Sequence, residues 1–308
     1  MRGNVFWTIK KGYPNISPAG IEINDALKKM YVVTKENNSL YTIDLTTKKI
    51  VQVLKLEEAG YSCLLSKNKK ELYISVWGAK KVAIYDIASQ KISTEINVGE
   101  NPNELLLSKN GKYLFVANAN DNSVSVIDII NKKELEVLNA ALYPNAPSGS
   151  ASNGLALSNN QKTLYIANAD NNCLAVFDVS KIGYSLSKGF IPVGWYPTNV
   201  KVVNKKIFVT NGKGFSSFPN INGPNPIARK QTVNYQKSDN ATTLKVEYIG
   251  GLMKGTMSII DEPSDLELSN YSKTVYQNTP YTKEKEIFVK GEIGNPIPMK
   301  VGDTSPIK

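Results

Sequence analysis

The 308-residue chain contains no histidine. That removes the commonest general base near neutral pH, the usual zinc ligand, and any Ser-His or Cys-His couple. The absence restricts an enzyme severely and costs a binding scaffold nothing. Cysteine is nearly missing as well, with only Cys63 and Cys173. Two cysteines neither require nor exclude an oxidising compartment. No stretch reaches the roughly 18 apolar residues of a membrane span. Residues 1–10 lack the apolar core of a signal peptide and instead alternate Val5, Trp7 and Ile9, as a strand would. No paired carboxylates stand at a catalytic spacing, and no metal-ligand cluster is visible. Asn211-Gly212-Lys213-Gly214 lacks the longer glycine run, the following Ser or Thr and the helix of a phosphate-binding loop. The expectation is therefore no cofactor, no metal and no bound nucleotide.

Net charge is +10, from 37 Lys and Arg against 27 Asp and Glu. Such a balance can attract nucleic acid, anionic lipid or acidic glycans. No dense basic run marks a binding stripe. Lys67, Lys69 and Lys70 come nearest, interrupted by Asn68 and followed by Glu71. The charge reads as thinly spread, and no nucleic-acid partner is expected.

What the chain does have is a unit that returns every forty-odd residues: strand, turn, strand, then an aspartate. Tyr31-Val32-Val33-Thr34, Tyr73-Ile74-Ser75-Val76, Phe115-Val116-Ala117-Asn118 and Tyr165-Ile166-Ala167-Asn168 each lead to a second apolar run. Those runs close on Asp44, Asp86, Asp128 and Asp178, and a weaker copy from Ile207 closes on Asp261. The intervals between the aspartates are 42, 42, 50 and 83 residues. A period near 42 with several short strands per unit is the sequence form of a β-propeller blade. A four-stranded unit cannot bury both faces alone, so radial stacking is dictated. The fold expected is all-β, a propeller of five recognisable four-stranded blades in one domain over 1–308. The repeats fall near 13–55, 56–98, 99–138, 151–193 and 194–261. Each aspartate is read as a turn former that accepts backbone N–H groups. Cys63 and Cys173 fall in different registers two blades apart, so they are expected to be reduced and unbridged.

In the fifth repeat a helix replaces the fourth strand. Ser264-Asp265-Leu266-Glu267 is a capping box, Leu268, Tyr271 and Val275 follow at helical spacing, and Pro280 stops the run. A helix over 264–278 within a linker spanning 262–308 is expected. Two Gly-, Pro-, Asn- and Ser-rich insertions, 139–151 and 212–248, read as loops. They join a fourth to a first strand and a second to a third strand. Alternating strand directions place both on one face, together with Trp195 and Asn103.

The motif Tyr31-Val32-Val33-Thr34 and its copies resemble the YVTN-type β-propeller family. Val193-Gly194-Trp195-Tyr196-Pro197-Thr198, Asn222-Gly223-Pro224-Asn225-Pro226, Gly255-Thr256-Met257-Ser258-Ile259 and the segment from Gly302 to Lys308 are similar to one subgroup. In that subgroup a seven-bladed propeller precedes an alkaline-phosphatase-type phosphoesterase domain. The resemblance implies a bacterial cell-envelope protein, periplasmic or secreted. It also implies that about two N-terminal blades precede this segment and that the phosphoesterase follows Lys308. That domain, attached or neighbouring, is the implied partner, beside a small-molecule, glycan or protein ligand. Five blades of a seven-bladed geometry form an incomplete arc. Its first blade should then show apolar side chains to water near Val32 and Ile43.

Polar residues heading the innermost strands should crowd the mouth of the central channel. Tyr61, Asn103, Glu104, Asn153 and Asn199 are the candidates there, alongside Thr198. Trp77, Trp195, Tyr196, Asn211 and Lys213 lie on or beside loops of the same face, where aromatics suit glycan or protein contact. The main reading is a non-catalytic binding or docking module without catalytic residues. The alternative is a lactonase-like propeller enzyme with a channel-mouth metal. Its donors would be Glu22 and Glu104 with Asn103, Asn153 and Asn199, but alternation aligns Glu22 with Leu106 and breaks the ring.

Overall fold

Each repeat folds into one antiparallel sheet because its β-branched and aromatic runs alternate at the period of a strand. The computed structural model describes residues 16–144, 146–216, 219–221, 223, 231–233, 244–246 and 249–279. Blade 1 holds β1 (Pro18–Asn24), β2 (Lys29–Thr34), β3 (Ser39–Asp44) and β4 (Lys49–Lys55). Blade 2 holds β5 (Gly60–Leu65), β6 (Glu71–Val76), β7 (Lys81–Asp86) and β8 (Lys91–Asn97). Blade 3 holds β9 (Pro102–Leu107), β10 (Tyr113–Asn118), β11 (Ser123–Asp128) and β12 (Lys133–Asn139). Blade 4 holds β13 (Ser152–Leu157), β14 (Thr163–Asn168), β15 (Cys173–Asp178) and β16 (Leu186–Pro192). Blade 5 has three strands, β17 (Trp195–Val203), β18 (Lys206–Gly214) and β21 (Thr256–Asp261).

Residues 212–248 are not only loop. Gly212 to Gly214 prolong β18, and β19 (Gln231–Val233) pairs in parallel with β20 (Leu244–Val246). Three-residue strands are too short to show a period, and the Asn- and Pro-rich surroundings hid them. The N-terminal alternation at Val5, Trp7 and Ile9 and the motifs beyond Pro280 lie outside the described residues.

The core sits between blades. Tyr31, Val33 and Leu40 of blade 1 pack against Leu65, Leu72 and Ile74 of blade 2. Tyr73 and Ile84 meet Leu114 and Val116 of blade 3, and Phe115 and Val126 meet Leu164 and Ile166 of blade 4. Tyr165 and Val176 then meet Val200 and Val209 of blade 5. Second and third strands of blades 1 to 4 are therefore largely buried on both faces, while the fourth strands of blades 1 to 3 alternate and stay wet. The innermost strands approach closely. A Cβ on Gly20 would lie 2.7 Å from the Cα of Ser62, and one on Gly154 would lie 2.7 Å from the Cα of Asn199. Only glycine lets β1 meet β5, and β13 meet β17, at this separation.

Successive blades touch through these inner strands, but no contact of similar extent joins blade 5 to blade 1 among the described residues. The arc stays open. On the outer face of blade 1, Val32 and Ile43 are themselves buried, because they sit in the middle strands. Their neighbours Ile21, Ile23, Ile50 and Val53 are exposed instead, at 57%, 45%, 48% and 49%. On the outer face of blade 5, Met257 and Ile259 are 56% and 55% exposed.

The helix α1 (Asp265–Asn278) carries the expected capping box, with Ser264 as N-cap and Glu267 returning its side chain. It does not extend blade 5. It crosses to the outer strand of blade 4, where Ser272 Oγ accepts from Phe190 N–H at 2.9 Å. Tyr276 packs edge-on against Phe190, with ring centroids 5.8 Å apart. Leu268 and Val275 are buried beneath it.

The closing aspartates act as turn formers. Asp44 accepts from Thr46 and Thr47 N–H, Asp86 from Ser89, Asp128 from Ile130 and Asn131, and Asp178 from Ser180. Asp261 differs and pairs with the Lys206 ammonium at 2.7 Å. The Lys29 ammonium, then the Thr47 amide, holds the Asp44 carboxyl far below its usual range. Hydrogen bonds from Ser89, Asn131 and Ser180 depress Asp86, Asp128 and Asp178 in the same direction. A depressed folded pKa stabilises above the unfolded value of about 3.9 and loses that contribution as pH falls.

Two outcomes follow. Stability measured by urea denaturation should decline as pH drops below about 4, where the unfolded aspartates take up protons before the folded ones. Gly154→Ala should cost about 1–3 kcal/mol, because the added methyl meets backbone that cannot turn aside. An unchanged urea midpoint would contradict the close approach of β13 and β17.

Candidate functional site

In each blade the first strand runs away from one face and the second returns to it, so second-to-third and fourth-to-first connections share that face. Hydrogen bonds bear this out. Asn122, in the β10–β11 turn, accepts from Gly149 and Ser150 N–H at 2.9 and 2.6 Å, and its amide nitrogen donates to the Pro147 carbonyl. The 140–151 connection is thus pinned beside the turns of blades 3 and 4. Asn103 abuts its end at Ser152, and Trp195 pairs with Gly214 at the same rim.

Asn103 is 4% exposed and fully engaged. Its Nδ2 donates to the Ser152 carbonyl at 3.3 Å and to Asn153 Oδ1 at 3.0 Å. Its Oδ1 accepts from Glu104 N–H at 2.6 Å, and its carbonyl accepts from Ser75 Oγ at 2.7 Å. One asparagine therefore ties blades 2, 3 and 4 together. Glu104, half-buried, follows it. Burial pushes its carboxyl pKa up, opposed by Lys201, whose Nζ lies 3.8 Å away. That pair joins blade 3 to blade 5 past the innermost strand of blade 4. Glu22 is also raised by burial, opposed by a Leu65 backbone hydrogen bond and Lys69. Glu22 lies opposite Tyr31, and Leu106 opposite Phe115. The register therefore equates Glu22 with Leu106, and the two glutamates stand at different depths.

The aromatics are partnered by the chain's own cations. Lys35 Nζ lies 5.1 Å from the Tyr61 ring centroid and 4.8 Å from that of Trp77. Lys213 Nζ lies 4.3 Å from the Tyr196 ring. Burial, then Asp170 and Tyr61, raises the Tyr196 pKa. Tyr196 adopts φ 60°, and its N–H donates to Asn172 Oδ1 at 2.8 Å. Trp195 is 39% exposed at the rim. Asn199 is paired with Thr210 in the β17–β18 ladder, and its backbone lies against Gly154 of blade 4. Asn211 is 2% exposed and donates inside blade 5, to Ser258 Oγ at 3.0 Å and Thr256 Oγ1 at 3.3 Å. The structure brings Tyr61 and Trp77 together, and Asn103, Glu104 and Asn153 together, while Asn211 serves its own blade. Lys35 and Lys201 escaped the sequence reading, since a lone lysine gives no signal until a partner is placed beside it.

A channel-mouth metal does not fit these donors. Both ends of the Asn103 amide are in use, Asn153 Oδ1 is taken, and Glu104 faces an ammonium. No three acidic or thiol groups converge among the described residues. Both cysteines are free and buried, Cys63 in β5 and Cys173 in β15. Burial raises the Cys63 thiol strongly and pushes Cys173 up to about 12. Among the described residues no helix is long and apolar enough to cross a membrane.

Antiparallel blades stacked side by side through their innermost strands define a β-propeller protein, and its fold is lactonase-like. Residues 62–148 match the family model described as lactonase, seven-bladed β-propeller. No curated protein sequence matches the chain. Among solved structures, the periplasmic gluconolactonase of Pseudomonas aeruginosa aligns with TM-score 0.57 and 18% identity, over 64% of each chain. A putative 6-phosphogluconolactonase from Bacteroides uniformis aligns with TM-score 0.54 and 14% identity, over 62% of each chain. Hydrazine synthase of Kuenenia stuttgartiensis gives TM-score 0.56 and 18% identity, over 85% of this chain and 67% of that one. The chain thus spans under two thirds of the gluconolactonases' length, and at these identities the likeness establishes the fold alone.

Asn103→Ala should destabilise the fold by about 1–3 kcal/mol, because the Ser152 carbonyl and Glu104 N–H lose a buried partner. Calorimetric melting checks this. A variant as stable as the parent would show that the bridge between blades carries no weight.

Proposed function

We propose that the channel mouth binds a small polyhydroxylated ring of the sugar-lactone class and promotes its hydrolysis. The observation that carries this reading is Glu104. It is a half-buried carboxylate with a raised pKa, 3.8 Å from the Lys201 ammonium, beside the Asn103–Asn153 amides. A carboxylate moved toward neutrality is a better general base than an exposed one. Glu104 takes a proton from water as the water oxygen attacks the lactone carbonyl. Lys201 stabilises the oxyanion that forms. Collapse breaks the ring C–O bond, and the proton held by Glu104 passes to the departing alkoxide to give the open hydroxy acid. The lactonase family match over blades 2 and 3 and the gluconolactonase likeness support this class of substrate. A periplasmic or secreted location goes with the same reading, on the likeness to a periplasmic gluconolactonase.

A second reading keeps the propeller as a docking module for an attached or neighbouring phosphoesterase domain of the YVTN-type subgroup. Lys35 over Tyr61 and Trp77, and Lys213 over Tyr196, favour it. A surface of cations stacked on aromatics suits protein or glycan contact as well as a small ring.

Acid release from glucono-1,5-lactone, followed in a pH-stat against the spontaneous rate, separates the two. The lactonase reading expects turnover that rises with pH as Glu104 ionises, above the ordinary carboxylate range. Glu104→Gln should reduce it by about 100-fold or more. Equal rates for parent and variant would remove Glu104 as the base. Calorimetric binding of gluconate without any turnover would leave the docking reading.

A further inference from the structure

The opposite face of the arc carries a different chemistry. It is built from the first-to-second and third-to-fourth connections. Within each blade the latter begins by donating to the former, as in Leu45 N–H to the Lys28 carbonyl, Ile129 to Lys112 and Val179 to Lys162. Between blades, Asn24 Nδ2 donates to the Lys69 carbonyl, and Lys109 N–H donates to Gln161 Oε1. The turns therefore join into one surface. Nine turn connections on this face contain eleven lysines and a single acid, Asp25, and the tenth, from β21 to α1, adds Glu262. The corresponding connections on the mouth face, from blade 1 to β17, contain six acids and two lysines. The strand-end aspartates keep their charge, but Asp44, Asp86, Asp128 and Asp261 stand opposite the strand-end lysines Lys49, Lys91, Lys133 and Lys206, which balance them, and only Asp178 faces none. Across these turns a charge that looks diffuse along the chain is weighted by topology toward one side.

Apolar side chains stand among those lysines at the turn tips. Leu27, Ile130 and Tyr184 are 50%, 70% and 72% exposed. A concavity of about 440 Å³ also opens here, lined by Leu157 and Ile182 together with Lys67 and Lys109. Cations alone suit any polyanion. Cations around protruding aliphatic and aromatic tips suit a surface that is anionic outside and hydrocarbon beneath.

We propose that this basic face docks the propeller onto an anionic lipid bilayer, with Ile130 and its neighbours entering the headgroup layer and the lysines meeting lipid phosphates. The inference uses none of the mouth residues and stands apart from the lactone reading.

Flotation of the full chain with phosphatidylglycerol vesicles and with phosphatidylcholine vesicles tests it, with heparin retention run alongside. Binding to the anionic vesicles alone is expected, weakening as salt rises from 0.05 to about 0.5 M because exposed charges are screened. The triple variant Lys109→Glu, Lys112→Glu, Lys162→Glu should lose at least about tenfold in vesicle affinity, by the attraction of about 1 kcal/mol per lysine near such a surface. Ile130→Ser, a substitution at an exposed tip, should lower vesicle binding and leave heparin retention as it was. Lys80→Glu on the mouth face should change neither. No flotation with phosphatidylglycerol would overturn the proposal. So would equal vesicle binding by parent and Ile130→Ser with strong heparin retention, which would mark a soluble polyanion as the partner.

Discussion

The close approach of neighbouring innermost strands is the constraint on which the rest depends. Where β1 meets β5 and β13 meets β17, backbone lies against backbone with room only for a glycine hydrogen. That contact fixes the hinge side of each wedge. The outer part of each wedge is then filled by large residues from second and third strands, such as Tyr31, Tyr73 and Phe115, all almost fully buried. Small at the axis and large outside sets a turn per blade. The same spacing leaves blade 5 short of blade 1 and places Asn103 where it can reach three blades at once.

Strand alternation then gives the molecule two unlike faces. The mouth face gathers Asn103, Glu104, the Lys201 ammonium and the lysine-capped aromatics. The other face gathers turn lysines. Neither face needs a special sequence signal, because a repeat of four strands sends its even connections one way and its odd ones the other. A residue type favoured in one turn of the repeat is multiplied across that face. The left-handed turn positions at Lys28, Lys48, Lys69 and Lys132 illustrate this, with φ values of 50–57°.

The blades and their strand pairs were legible in the chain because each signal is local: an alternating apolar run, a turn and an aspartate within about ten residues. The helix was legible for the same reason, through Ser264 and Glu267. Its destination was not. It depends on Gly189, 76 positions before Asp265, where a Cβ would lie 2.3 Å from Ser272 Oγ. The basic face was hidden because its lysines lie far apart in sequence and meet only after blades stack. Lys201 reaches Glu104 across 97 positions, and Asn103 reaches Asn153 across 50. The short strands β19 and β20 were hidden by length. Side chains heading the inner strands could be placed near the mouth from register, but whether each bonds within its own blade, as Asn211 does, or across blades, as Asn103 does, is decided by packing.

The central claim is an open arc whose two end faces are in water. Thiol labelling with a bulky maleimide tests it directly, using Ile21→Cys on blade 1 and Ile259→Cys on blade 5. The native Cys63 and Cys173, both buried, serve as internal standards. The open arc predicts fast labelling at both introduced thiols under native conditions, while the two native thiols react only in denaturant. Protection of both introduced thiols in the monomeric native protein, with the same slow rate as Cys63, would mean that blade 5 closes on blade 1 and would contradict the account.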